Sequence, residues 1–184
     1  MANTWRVLSP ATGHSTSGAK DIIDVFNLAG STRIVKIYRA WHVNSVVAAI
    51  TATTTYTVLQ VRRTNSIAGG SGLTPVSHDS ANGALSGSID AGTNSTLGFP
   101  ANSILRQYVM SNDNASPNVD LGIDAWQAMI QMQEIWNSGY GESNVQPIVC
   151  RAEEGFALYQ TAAITMSVGS MVSDAEIEFT DEAL

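Results

Sequence analysis

Basic residues are scarce in this chain: nine Lys and Arg stand against sixteen Asp and Glu in 184 residues, a formal net charge of −7. Binding to nucleic-acid backbone needs clustered Lys and Arg, and Arg62-Arg63 is the sole adjacent basic pair. A nucleic-acid role is therefore set aside. Cysteine is nearly absent as well; Cys150 is the single one and has no intrachain partner for a disulfide. It lies in an apolar run, where a buried, inert thiol is expected. No apolar stretch approaches the roughly 20 residues of a membrane helix, so no membrane role is expected. The first residues, Met1 to Arg6, lack an apolar core behind a basic start, so no secretory signal is expected and the chain reads as made in a reducing compartment. Asn94-Ser95-Thr96 and Asn114-Ala115-Ser116 match the glycosylation tripeptide by chance on that reading.

What is present is apolar and polar-neutral material: 44% of residues are apolar and only 14% charged. That balance fits short strands joined by polar turns, and the length suits one β domain with a substantial core. Period-two patterning carries the fold class. In 33–43 it places Val35, Ile37, Trp41 and Val43 on one side of a strand, with Lys36 and Tyr38 on the other. Residues 46–63 are rich in Thr and β-branched residues, and a bend near Asn44-Ser45 or within Ala48-Ala49 is expected because the run is long for one strand. Further strands are expected at 103–110 and 126–133, the second with a helix as the competing assignment. Residues 20–27 suit an early strand or a short helix. At the far end Ala175, Ile177 and Phe179 alternate with Glu176 and Glu178, a strand with one acidic face suited to guarding a sheet edge.

The middle of the chain changes character. Gly69-Gly70-Ser71-Gly72, Ser80-Ala81-Asn82-Gly83 and Asp90-Ala91-Gly92 are turn signals, so 64–100 reads as one long loop of the kind that contacts a partner. A second polar loop covers 111–120. The expected organisation is an N-terminal arm and first strand over 1–30, followed by a single β-sandwich domain over 31–184.

Catalytic chemistry finds no motif. His14, His42 and His78 are dispersed, none at metal-ligand spacing. His78-Asp79 could orient an imidazole, but neighbours in a strand point to opposite faces. The glycine cluster lacks the Lys-Ser/Thr ending of a phosphate loop. Asn112-Asp113-Asn114, with Asp120 and Asp124, offers oxygen ligands without the spacing of a calcium-binding helix-loop-helix. Glu134, Glu142, Glu153 and Glu154 could supply a glycosidase pair only if folding set two across a cleft. Trp5, Trp41, Trp126 and Trp136 could stack on sugars, although Trp41 and Trp126 lie in patterned strands that predict core packing.

Gln146-Pro147-Ile148-Val149-Cys150-Arg151 runs through Ala152-Glu153-Glu154-Gly155 into Phe156-Ala157-Leu158. This strand, Glu-Gly turn and second strand resemble a segment of small virion structural proteins of tailed bacteriophages. Val61-Arg62-Arg63, followed by the run from Leu73 to Ala81, is similar to such proteins as well; together these cover about a third of the chain. Ala152-Glu153 stands where the pattern has Pro-Gly. The resemblance implies an antiparallel β-sandwich, jelly-roll in type, that serves as a capsid cement or decoration protein on the virion surface. Its partner would be the major capsid protein, in a homo-oligomer taken as a trimer, with dimer as the other option. It implies no enzyme activity, no catalytic residue, no cofactor and no metal. A carbohydrate- or receptor-binding module of a virion is the alternative, and a small hydrolase using His78 and the carboxylates is a third.

Overall fold

The computed structural model describes residues 3–46, 54–113, 133–138, 146–163 and 171–184. Fourteen strands and no helix occur among them, and every strand pair is antiparallel. The chain is thus all-β, as the alternation implied, with two large sheets arranged as a sandwich.

The first sheet is built around the two ends of the described chain. β1 (Asn3–Gly13) pairs with β14 (Met171–Ala183), and β14 pairs in turn with β3 (Arg33–Val46). β7 (Val76–Ser77) adds to the free side of β1, while β11 (Gln133–Asn137) and β12 (Ile148–Cys150) share the far side of β3. The second sheet runs β10 (Ile104–Asp113), β4 (Thr54–Thr64), β13 (Glu154–Gln160), β2 (Lys20–Asn27), β8 (Ile89–Thr93), β6 (Ser71–Gly72). β5 (Ser66–Ala68) and β9 (Thr96–Gly98) form a separate two-stranded ribbon.

Side-chain alternation explains why these sheets face each other. Trp5, Val7, Ile177, Phe179, Val35 and Ile37 are buried on the first sheet, and Val25, Leu59, Val61, Phe156 and Leu158 on the second, in one continuous core. Each large aliphatic or aromatic side chain so buried contributes about 1.5–3 kcal/mol. Polar ties close one end of the first sheet: Asp181, 1% exposed, accepts from the Trp5 indole and pairs with Arg33 at 2.9 Å.

Several sequence expectations change in this frame. β14 is flanked by β1 and β3, so its acidic face guards no edge; Glu176 and Glu182 instead meet Arg6 and Lys36 across the strands. In β3 a bulge at Tyr38 reverses the alternation, which buries Ala40 and His42 and turns Trp41 and Val43 to the outer face. Asn44 and Ser45 remain in that ladder, opposite Ser173 and Val172, so the expected bend is not there; Ala48-Ala49 lies outside the described residues. Residues 20–27 are strand, not helix. Of 126–133, only Gln133 is described, and it opens β11.

Of the 1–30 segment, the described residues 3–30 form no arm, because β1 and β2 are internal strands of the two sheets. Nor is 64–100 a free loop, since it carries β5 to β9 and is tied down by backbone bonds such as Leu28 N to Ser88 O (2.8 Å), His78 N to Thr4 O (3.0 Å) and Asn94 N to Asp21 O (3.2 Å). These strands are two to five residues long, too short to show a period.

The Glu-Gly turn links the sheets. Glu153 takes the left-handed conformation (φ 63°), its N–H donates to Asn27 O, and the Glu154 carboxylate accepts from Arg151 N. Gly155 then lets β13 pass against β2: a Cβ there would lie 2.6 Å from the Phe26 ring and 2.7 Å from Val25 O. Gly155→Ala should lower the unfolding free energy by about 2–4 kcal/mol, read as a shifted urea midpoint at unchanged slope.

Candidate functional site

Residues with catalytic potential are dispersed or sealed. His14 and His42, remote in sequence, converge on Ser173: each Nε2 lies 2.7 Å from the Ser173 Oγ. One hydroxyl proton serves one ring, so one imidazole accepts from Ser173 while the other donates its N–H to it. Burial, reinforced by neighbouring His14, pushes His42 down to about 3, so its ring is neutral at ordinary pH. Ser173 is 0% exposed, and a substrate cannot reach it. This convergence arises because β14 lies between β3, which carries His42, and β1, which His14 follows, a long-range pairing that sequence spacing does not display.

His78 lies on the other face of the same sheet, 3.4 Å from Glu178. Asp79 does not orient it; its carboxylate accepts from Ala81 N and shapes the turn. Glu134 is exposed and accepts from Asn137, Glu153 and Glu154 belong to the intersheet turn, and Glu142 lies outside the described residues. Asn112 and Asp113 are paired strand residues, whereas Asn114, Asp120 and Asp124 are not described. Among the described residues no group of three or more His, Cys, Asp or Glu is placed to hold a metal. Cys150 is buried, and that burial raises its thiol to about 12.

The glycine cluster is packed rather than poised for a phosphate. Gly70 (φ 90°) sits so close to the next loop that a Cβ would meet Ser95 Oγ at 2.5 Å. A hollow of about 430 Å³ opens between Arg62 and residues 100–104. Its one charged group is already engaged: Arg62 donates to Ser103 Oγ and lies 3.6 Å from the Phe99 ring centroid, and Phe99 meets Tyr159 edge to face. Neither carboxylate nor imidazole lines it.

The surface best suited to recognition is the outer face of the first sheet. Strand register sets its side chains in two rows. One row runs Val76, Arg6, Glu178, Arg39, Asn137; the next runs Leu8, Glu176, Trp41, Glu134. Val76 is 61% and Leu8 50% exposed, two of the four large apolar side chains that stand exposed among the described residues. Trp41, half-buried, has the Arg39 guanidinium 6.0 Å from its ring centroid. Partial burial holds the Glu176 carboxyl above its ordinary range, against the pull of Arg6 and with help from Glu178. Exposed aliphatics, a Trp and alternating charges on a flat sheet match a protein-contacting patch, not a concave small-molecule site. The bulge that turns Trp41 outward is what sequence alternation missed; Tyr38, the extra residue, gives no local sign of it.

No family model, curated protein or solved structure matches this chain.

A buried neutral histidine makes stability sensitive to acid. Its folded-state affinity for protons is lowered, so its contribution is present above about pH 6.5 and is lost as pH falls toward 3. Relative to His42→Gln, the wild type should lose up to about 1.4 kcal/mol per pH unit below 6.5. Urea denaturation of both proteins between pH 7 and 4 measures the difference.

Proposed function

We propose that this protein is a non-enzymatic structural component of a tailed-phage virion, a cement or decoration subunit that binds the major capsid protein and stabilises the shell. The observation that carries this reading is the open outer face of the first sheet, where Leu8 and Val76 flank Arg6 beside the Glu176–Trp41 row. Apolar anchors set among alternating charges suit a flat protein surface: the anchors supply affinity, and the charges fix register. Glu134, Glu176 and Glu178 on the same face oppose a phosphate backbone. The resemblance of the 146–158 and 61–81 segments to small phage virion proteins supports the same class. A jelly-roll form of the sandwich and a trimeric assembly, set around a threefold position on the shell, belong to this proposal. Synthesis in the host cytoplasm belongs to it too.

Trp41 between two carboxylates also suits a sugar ring, which keeps a glycan- or receptor-binding module as the second reading. Titration with glycans separates the two, because only that reading expects Trp fluorescence quenching.

Mixing purified protein with expanded shells that lack it tests the main reading. The wild type should co-sediment at a fixed ratio to the capsid protein. Leu8→Thr with Val76→Thr, both at exposed strand positions that tolerate Thr, should bind about tenfold or more weakly. Equal decoration by wild type and double variant would remove this face from the interface, and failure of the wild type to bind at all would remove the cement role.

A further inference from the structure

Two carboxyls are sealed together beneath the turn that follows β8. Asp21 and Asp24 are 0% and 1% exposed. A bulge at Ile22 brings both to the outer face of β2, within hydrogen-bonding reach of each other. The turn is fastened to them atom by atom: Ser95 N donates to Asp21 Oδ2 (3.3 Å), Ser95 Oγ donates to Asp24 Oδ2 (2.7 Å) and Asn94 N donates to Asp21 O (3.2 Å). Asn94 is left-handed at φ 58°, and Gly92 has no side chain to push the turn away. One oxygen of each carboxyl, Oδ1, finds no donor in the structure. A proton carried by one carboxyl and shared with the other supplies what is missing, as two anions at this distance in a dry site repel strongly.

The described surroundings offer the pair no ion-pairing cation, although the charge of Lys20 acts weakly on Asp21. On β2 itself, Lys20 turns its ammonium to the Gly13 carbonyl. β8 contributes another acid, Asp90, whose charge acts on Asp24. β13 places Tyr159 opposite Asp21, and on β4 Arg62 is held by Ser103 and Phe99. Neither aspartate forms an ion pair among the described residues. Burial, and then the neighbouring Asp24, holds Asp21 well above the ordinary carboxylate range against the weaker pulls of Ser95 N–H and Lys20, and burial raises Asp24 too.

We propose that Asp21 and Asp24 form a proton-held clasp that locks the 93–95 turn, and with it the 93–103 cover, onto the second sheet. Loss of the shared proton releases that cover while the two sheets persist. The sign follows from linkage. The closed form holds a proton that the open form gives up above about pH 4, so in that range each further pH unit raises the open population about tenfold. Acid tightens the clasp and alkali loosens it, opposite to the effect of His42.

Infrared spectroscopy and limited proteolysis together test this. Wild-type protein at pH 7 should show the carbonyl band of a protonated carboxyl, absent in Asp21→Asn. Cleavage within 88–103, scaled to an unstructured reference peptide, should rise about tenfold per pH unit from pH 7 to 9 in the wild type and stay level in Asp21→Asn, whose amide donates permanently. A wild type without the band, or cleavage rising equally in both proteins, would overturn the clasp. Should Asp21→Asn fail to fold, Asp24→Asn serves in its place, and the wild-type spectrum alone still decides.

Discussion

Burial of β2 on both faces is the constraint from which the rest of the architecture follows. Its inward residues, Ile23 and Val25, meet the first sheet across the core, while Asp21, Asp24 and Phe26 point the other way and are buried as well. A sheet with one dry outer face must be covered, and the chain covers it with its own middle third. β8 and β6 extend the sheet beside β2, and the 93–103 segment folds over Tyr159 and Arg62. The first sheet has no buried outer face along β1 and β14, where Arg6, Leu8, Glu176 and Glu178 alternate with buried residues. The two outer faces therefore differ in kind: one is closed by the protein itself, the other stays open with Leu8 and Val76 exposed.

The polar groups buried in this sandwich divide into two sets with opposite responses to protons. His42, with His14 and Ser173, is stable when neutral and resists acid poorly. Asp21 and Asp24 are stable when one carries a proton and resist alkali poorly. Each set takes a hydroxyl from a distant strand or turn, Ser173 for the histidines and Ser95 for the aspartates, so both form only in the assembled fold. They occupy positions where a simpler sandwich would hold aliphatic side chains.

Much of the architecture is readable in the sequence where the period is long enough to see. The all-β class, the strand from Arg33, the strand-turn-strand around Glu153 and the two-faced β14 all follow from local alternation. Single-residue bulges are invisible to it: one at Tyr38 moves Trp41 from core to surface, and one at Ile22 brings two acids onto one face. Sheet position is also invisible, so an acidic strand that looks fit for an edge lies in the middle. Strands of two and three residues, such as Ser71–Gly72 and Val76–Ser77, look like loop because their structure is imposed by β8 and β1 rather than by their own composition. The two outer-face rows of the first sheet depend on register across five strands, and no stretch of sequence shows register.

The middle third is part of the folded body rather than an arm, and the closure of the second sheet depends on it. Asn65 N donates to Gly98 O at 3.1 Å, so the flanks of 66–94 are close and a short Gly/Ser linker spans them without strain. Replacing 66–94 by such a linker and following thermal unfolding by circular dichroism gives the most direct measurement. Loss of the cooperative transition is the expected result, since β2 loses β8, one of its two neighbours, and Asp24 loses the backbone of Gly92 packed against it. A variant that melts as sharply as the wild type, at a similar temperature, would contradict it.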